Sequence, residues 1–172
     1  RGSFLMHPPV MDWVRDTFNV WRGQEVGPFD ILEIGSLDIN GSVRPIFQDT
    51  KRSYIGVDMQ EGPGVDIVAD AATFQIGLQF DVIVCAEVFE HTAVWREIID
   101  NSLAHLKPGG LFTATMAGVG RSPHSAIDEN PIRDWEHYEN ITEDALSEAL
   151  GGFSTFGVNT QGLDLRCWAH KA

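Results

Sequence analysis

The chain is short of bases, short of cysteines and free of long apolar runs. Each shortage removes a class of protein. Only 12 of its 172 residues are Lys or Arg against 25 Asp and Glu, which gives a formal charge of −13 and a pI near 4.6. Binding to a phosphate backbone is driven by Lys and Arg, so a surface of this sign repels nucleic acid. No apolar stretch approaches the roughly 20 residues of a membrane helix, which argues against a membrane-embedded chain. The N-terminus lacks the apolar core of about 7–15 residues that marks a secretory signal. Residues 1–5 read as a tail, with Met6 as a natural start. Two cysteines, Cys85 and Cys167, are too few for a disulfide scaffold. Both sit in apolar runs and read as buried free thiols, so a reducing cytoplasm is the expected compartment. Glu90 and His91 are adjacent rather than at the i, i+4 spacing of a helical zinc pair, so no metal site is expected. A nucleophile elbow G-x-S-x-G is also missing.

What is present is ordinary for a globular protein: 43% hydrophobic and 10% aromatic residues, in a length that suits one domain over 1–172. Val10, Val14, Phe18 and Trp21 fall on one helix face, which Gly23 and then Gly27-Pro28 end. Short apolar runs at 30–35, 54–58, 65–70, 80–86 and 111–116 read as strands. A helix is expected from Ser42 to about Gln48, with Ser42 as N-cap and Pro45 in its first turn. Another is expected over 93–106, stopped by Lys107-Pro108-Gly109-Gly110. Thr142 reads as the cap of a short helix that ends at Gly151-Gly152. Two last strands are expected over 153–159 and 163–170. Strands apolar on both faces, alternating with helices, imply a largely parallel sheet covered on both sides. Ligands then bind beyond the carboxyl ends of the strands, where strand order reverses.

The residues at those ends carry the chemistry. The first strand ends Glu33-Ile34-Gly35-Ser36, where Gly35 permits a tight turn and close approach of backbone to a ligand. The second ends at Asp58, 23 residues after Gly35, a distance that suits an acid on a ribose diol. The third ends Asp70-Ala71, and the fourth Ala86-Glu87-Val88-Phe89-Glu90-His91.

Five of these strings together resemble the class I methyltransferases that use S-adenosylmethionine. They are Ile31-Leu32-Glu33-Ile34-Gly35, Tyr54-Ile55-Gly56-Val57-Asp58, Val68-Ala69-Asp70-Ala71, Phe80 to His91, and Leu106-Lys107-Pro108-Gly109-Gly110-Leu111, in family order. The resemblance implies a Rossmann-like sheet of seven strands, mostly parallel with the last antiparallel. It implies S-adenosylmethionine as cofactor. Glu33 would lie near the methionine moiety, the amides of Gly35 and Ser36 would approach the cofactor, and Asp58 would bind the ribose. Met59 would pack on the adenine, Asp70 and Ala71 would meet its edge, and Ala86 and Glu87 would line the site beneath the methyl donor. The family's further glycines are replaced by Leu37 and Ile39, whose side chains can turn into the core while the backbone binds. The same replacement removes a G-x-G-x-x-G fingerprint and lowers a dinucleotide reading.

Methyl transfer from a sulfonium needs alignment above all, and a base only where the acceptor loses a proton. His91, His124 and His137 are the candidate bases. The 117–141 connection follows the fifth strand on the ligand side and is long for a compact domain. It carries Arg121, His124, Arg133, Trp135, His137 and Tyr138, and reads as the substrate wall or lid. The expected function is methyl transfer to a small-molecule acceptor. A cofactor-binding module without catalysis and a nucleotide-dependent oxidoreductase are the alternatives. Between Asp128 and Glu148 stand eight acids and one base, a run that falls near the expected substrate entrance and disfavours polyanions there.

Overall fold

A computed structural model describes residues 8–128 and 130–172. The tail expected over 1–5, and Met6, lie outside the described residues. Seven strands form one sheet in the order β3-β2-β1-β4-β5-β7-β6. They are β1 (Phe29–Ile34), β2 (Lys51–Asp58), β3 (Ile67–Val68), β4 (Phe80–Ala86), β5 (Leu106–Ala117), β6 (Thr155–Gln161) and β7 (Asp164–His170). The first five run parallel, and β7 runs antiparallel to both β5 and β6. The expected seven-stranded sheet with an antiparallel last strand is therefore the observed one.

Alternate residues of the central strands feed two separate cores. Ile31, Val82 and Val84 pack with Val10, Val14 and Phe18 of α1 (Pro8–Arg22). Leu32, Ile83 and Cys85 pack on the other face with Trp95, Ile98 and Ile99 of α2 (Trp95–His105) and Leu146 of α3 (Glu143–Ala149). This is the period-2 alternation of a sheet buried on both faces. Gly23 closes α1 at a φ of 55°, and the Thr142 side chain accepts from Ala145 N to cap α3. Cys85 and Cys167 are both buried free thiols.

Two expected elements are shorter than the sequence pattern implies. The helix over 42–48 is one 3-10 turn, Arg44–Phe47. The chain rejoins the sheet at Lys51, opposite Phe29, and residues 35–43 are spent on irregular chain around the cavity, so that only one turn is left before β2. Phe47 is fully buried instead, edge-on to Phe18 at 4.9 Å, so α1 covers the face that the missing helix would have covered. Ser42 still acts locally, its Oγ accepting from Arg44 N. The strand expected over 65–70 pairs only at Ile67–Val68. Asp66 is drawn away to Gly56 N and Arg44. β5 also begins earlier than expected, at Leu106, and runs through the Pro-Gly-Gly segment.

Candidate active site

Strand order reverses between β1 and β4, the two parallel neighbours at the centre of the sheet. A cavity of about 310 Å³ opens beyond their carboxyl ends, within the usual range for small-ligand sites. Its floor is Glu33, Gly35 and Ser36 after β1, Asp58 and Gln60 after β2, and Ala86 and Glu87 after β4. Its far wall is Arg121, His124, Ser125 and Ala126, from the connection after β5.

Gly35 has φ +72°, and a Cβ there would stand 2.2 Å from Val88 Cγ2. Glycine is thus required by the packing of the β1 turn against the β4 turn, before any ligand is considered. Leu37 packs on Gly62, where a Cβ would meet Leu37 Cδ1 at 2.4 Å. Ile39 departs from expectation. It does not turn into the core but is 40% exposed and lines the cavity, because the turn at Asp38–Gly41 leaves it on the solvent side. Asp58 holds this loop: one carboxylate oxygen accepts from Leu37 N at 3.2 Å, the other from Gln60 N at 3.0 Å.

Glu33 is 3% exposed and accepts a hydrogen bond from Tyr54 Oη at 2.8 Å. Burial pushes its carboxyl up to about 7, against the Tyr54 bond and Arg44, which favour the charge. Burial, with Glu33 beside it, also raises Tyr54.

The β4 turn is strained. Glu87 sits at φ 57°, a left-handed conformation that costs roughly 1–2 kcal/mol for a side chain with a Cβ. It is fixed by Glu87 N donating to Thr115 O at 2.8 Å. The result places Glu87 in the cavity, where Arg121 donates to its Oε2 at 2.6 Å and to Asp164 at 2.8 Å. Glu87 Oε1 is buried with no partner among the described residues, an acceptor free for a ligand. Glu90 follows, fully buried with neither oxygen partnered. Burial, then the Glu87 charge, pushes its carboxyl up to about 8. His91, His124 and Tyr138 form a cluster of three rings with centroids 5.0–5.4 Å apart. Burial and the neighbouring His124 lower His91 to about 4, so its imidazole is neutral at neutral pH.

Six of the nine residues expected to meet the cofactor line this cavity: Glu33, Gly35, Ser36, Asp58, Ala86 and Glu87. Met59, Asp70 and Ala71 are not among its lining residues. Met59 is 72% exposed, Asp70 turns its carboxylate to Ala72 N, and Ala71 is buried in the core beneath Asn101. Of the three histidines, His91 and His124 line the cavity. His137 does not, and lies 3.7 Å from Glu139. After β5, the described residues of the 117–141 connection form no helix or strand, apart from a bridge between Gly118 and Ile141. It folds on itself through Arg133, which reaches Asp128, Ser125 and Glu136. Sequence reasoning missed Tyr54, Gln60 and Ser125 as parts of the site. It also missed the approach of His124 to Glu90 and His91, since 33 residues separate the two histidines and only the fold of the connection joins them.

The comparisons agree with this geometry. A family model described as a methyltransferase domain matches residues 33–112. None of the curated proteins matches the chain in sequence. Among solved structures it is similar to an S-adenosylmethionine-dependent methyltransferase from Clostridium acetobutylicum, with a TM-score of 0.69 at 12% identity over 97% of this chain and 92% of the other. It is also similar to 1,6-didemethyltoxoflavin-N1-methyltransferase from Burkholderia thailandensis, solved with its substrate and S-adenosylhomocysteine, with a TM-score of 0.69 at 18% identity over 96% and 79%. The amino pentose methyltransferase CalS10 from Micromonospora echinaspora gives 0.63 at 17% over 96% and 91%. Residues 33–112 thus match a methyltransferase-domain model, and the chain as a whole has the fold of the S-adenosylmethionine-dependent methyltransferases it resembles.

Proposed function

We propose that the protein transfers a methyl group from S-adenosylmethionine to a small-molecule acceptor bound in the cavity at the β1/β4 switch point. The observation that carries this reading is the lining itself. The residues that resemble cofactor ligands of the class I family converge from three strand ends on one cavity. The fit is supported by the free, buried Glu87 Oε1 and Ser36 Oγ at its edge. Glu33, the amides after Gly35, Asp58, Ala86 and Glu87 would hold the cofactor, which supplies a methyl group already activated by a cationic sulfur. The chain's own contribution is then alignment of the acceptor and exclusion of water.

The wall built by Arg121, His124, Ser125 and Ala126, with His91 beside it, is the acceptor side. Two imidazoles there offer a place to take up an acceptor's proton or polarise it. A small acceptor accords with the cavity volume and with a net charge that repels polyanions. It accords also with the toxoflavin-type and amino-pentose methyltransferases among the fold relatives. No observation favours a dinucleotide-dependent oxidoreductase or a module without catalysis. Among the described residues no helix is long and apolar enough to cross a membrane.

Calorimetric titration with S-adenosylhomocysteine, followed by its release from S-adenosylmethionine over a panel of small amine and hydroxyl acceptors, tests the proposal. Asp58→Ala is expected to weaken cofactor binding by about 1–3 kcal/mol, through hydroxyls left poorly paired and a loosened Leu37–Gln60 loop. Absence of binding by the unaltered chain would remove the proposal, and unchanged affinity in the variant would remove Asp58 from the site.

A further inference from the structure

We infer that Glu90, His91 and His124 form a binding site for one divalent transition-metal ion beside the cavity. One ligand atom from each lies within 4.8 Å of the other two. Atoms bound to a common ion at about 2.0–2.2 Å stand less than about 4.4 Å apart, so small torsional adjustments close the set.

Three further observations point to a cation. Glu90 is fully buried and neither of its oxygens has a partner among the described residues, and His91 Nδ1 is buried without one as well. Buried polar atoms of this kind are normally satisfied, and one ion would give a partner to Glu90 and to His91 together, through one atom of each. His124 Nδ1 lies 3.1 Å from Ser122 O. A carbonyl only accepts, so Nδ1 carries the hydrogen and Nε2 keeps its lone pair, the arrangement by which an outer hydrogen bond orients a ligating imidazole. Arg121 directs its hydrogen bonds to Glu87 and Asp164 and forms none to Glu90.

Two imidazoles and one carboxylate suit Zn²⁺, Mn²⁺, Fe²⁺ or Co²⁺ better than Mg²⁺ or Ca²⁺, which prefer all-oxygen shells. Three protein ligands leave at least one position open. His91 and His124 line the cavity, so that position faces it and takes water or an acceptor's oxygen, whose proton the ion makes easier to lose. This last consequence rests on the methyltransferase reading; the metal site does not.

The full chain, stripped with a chelator and titrated with Zn²⁺ by calorimetry and with Co²⁺ by visible absorption, is expected to take up one equivalent. His124→Ala, on a half-buried loop position, and His91→Ala should each weaken uptake by more than about 10-fold, the least that disturbing a metal's ligand shell costs. His137→Ala should leave it unchanged. Lack of stoichiometric uptake, or uptake undiminished in both His91→Ala and His124→Ala, would overturn the site. Titrating S-adenosylhomocysteine into the same samples separates the two ideas. Cofactor binding without metal uptake refutes the metal site alone, and metal uptake without cofactor binding refutes only the methyltransferase reading.

Discussion

Glu33 offers a test of the site that needs no substrate. The residue is 3% exposed in the cavity floor, and burial raises its carboxyl from 4.5 to about 7. A shift of about 2.5 units is worth about 3 kcal/mol at about 1.4 kcal/mol per unit. The folded state holds the proton more tightly than the unfolded chain. The contribution is therefore complete below pH 4.5 and is lost as pH rises through about 7. Roughly 2 kcal/mol of it falls between pH 5.5 and 8, a range clear of the pI near 4.6. Glu33→Gln keeps an acceptor for Tyr54 Oη and removes the charge. Urea unfolding of both proteins without cofactor, at several pH values across that range, gives two stability profiles whose difference isolates Glu33. Glu90, pushed up to about 8 by burial, contributes equally to both and cancels. The unaltered protein should lose about 2 kcal/mol more than the variant on going from pH 5.5 to 8. Profiles parallel to within about 0.5 kcal/mol, below the typical shift of a single site, would refute the buried, proton-holding state of Glu33.

Two further outcomes follow from the loops around it. Gly35→Ala places a methyl 2.2 Å from Val88 Cγ2 at a φ of +72° and should cost about 2–4 kcal/mol in unfolding experiments, strain and overlap together. Adding Val88→Ala should return part of that, and no return would show the overlap to be relieved elsewhere. Replacing residues 122–136 by a short Gly-Ser linker removes His124 and Ser125 from the cavity wall. Turnover should be lost while S-adenosylhomocysteine affinity stays within a fewfold by calorimetry, and turnover that survives would deny the connection its role as substrate wall.

The parts of the molecule that were legible in sequence are those that local chemistry decides. The apolar run of β4, the capping Thr142 and the 3.6-residue stripe of α1 each specify their element without help from distant residues. The acid and glycine at successive strand ends located the cavity floor for the same reason, since a parallel sheet brings its carboxyl ends together whatever the side chains are. What sequence did not reveal depends on length and on long-range closure. Arg44–Phe47 has the pattern of a helix, but the chain has to be back in register at Lys51. Tyr54 reads as one more strand aromatic until the pairing of β2 with β1 sets it against Glu33. His124 becomes part of the site only because the Arg133 contacts fold its loop.

The same closure changes the meaning of the acidic run from Asp128 to Glu148. Along the chain it looks like a charged rim at the substrate entrance. In the fold, several of these acids have internal work: Asp128 and Glu136 hold Arg133, Glu139 accepts from Trp95 Nε1, and Glu143 takes Thr160 Oγ1. None of the described residues between 128 and 148 lines the cavity, whose far wall is Arg121, His124, Ser125 and Ala126. Glu139 therefore latches the connection to α2, and Glu143 joins α3 to β6. The polarity of the cavity wall comes from Arg121, paired with Glu87 and Asp164, and from two imidazoles. On the proposed function such a wall selects by hydrogen bonding and shape, so relative turnover over the acceptor panel should track substitutions at Arg121 and Ser125 rather than the net charge of the loop.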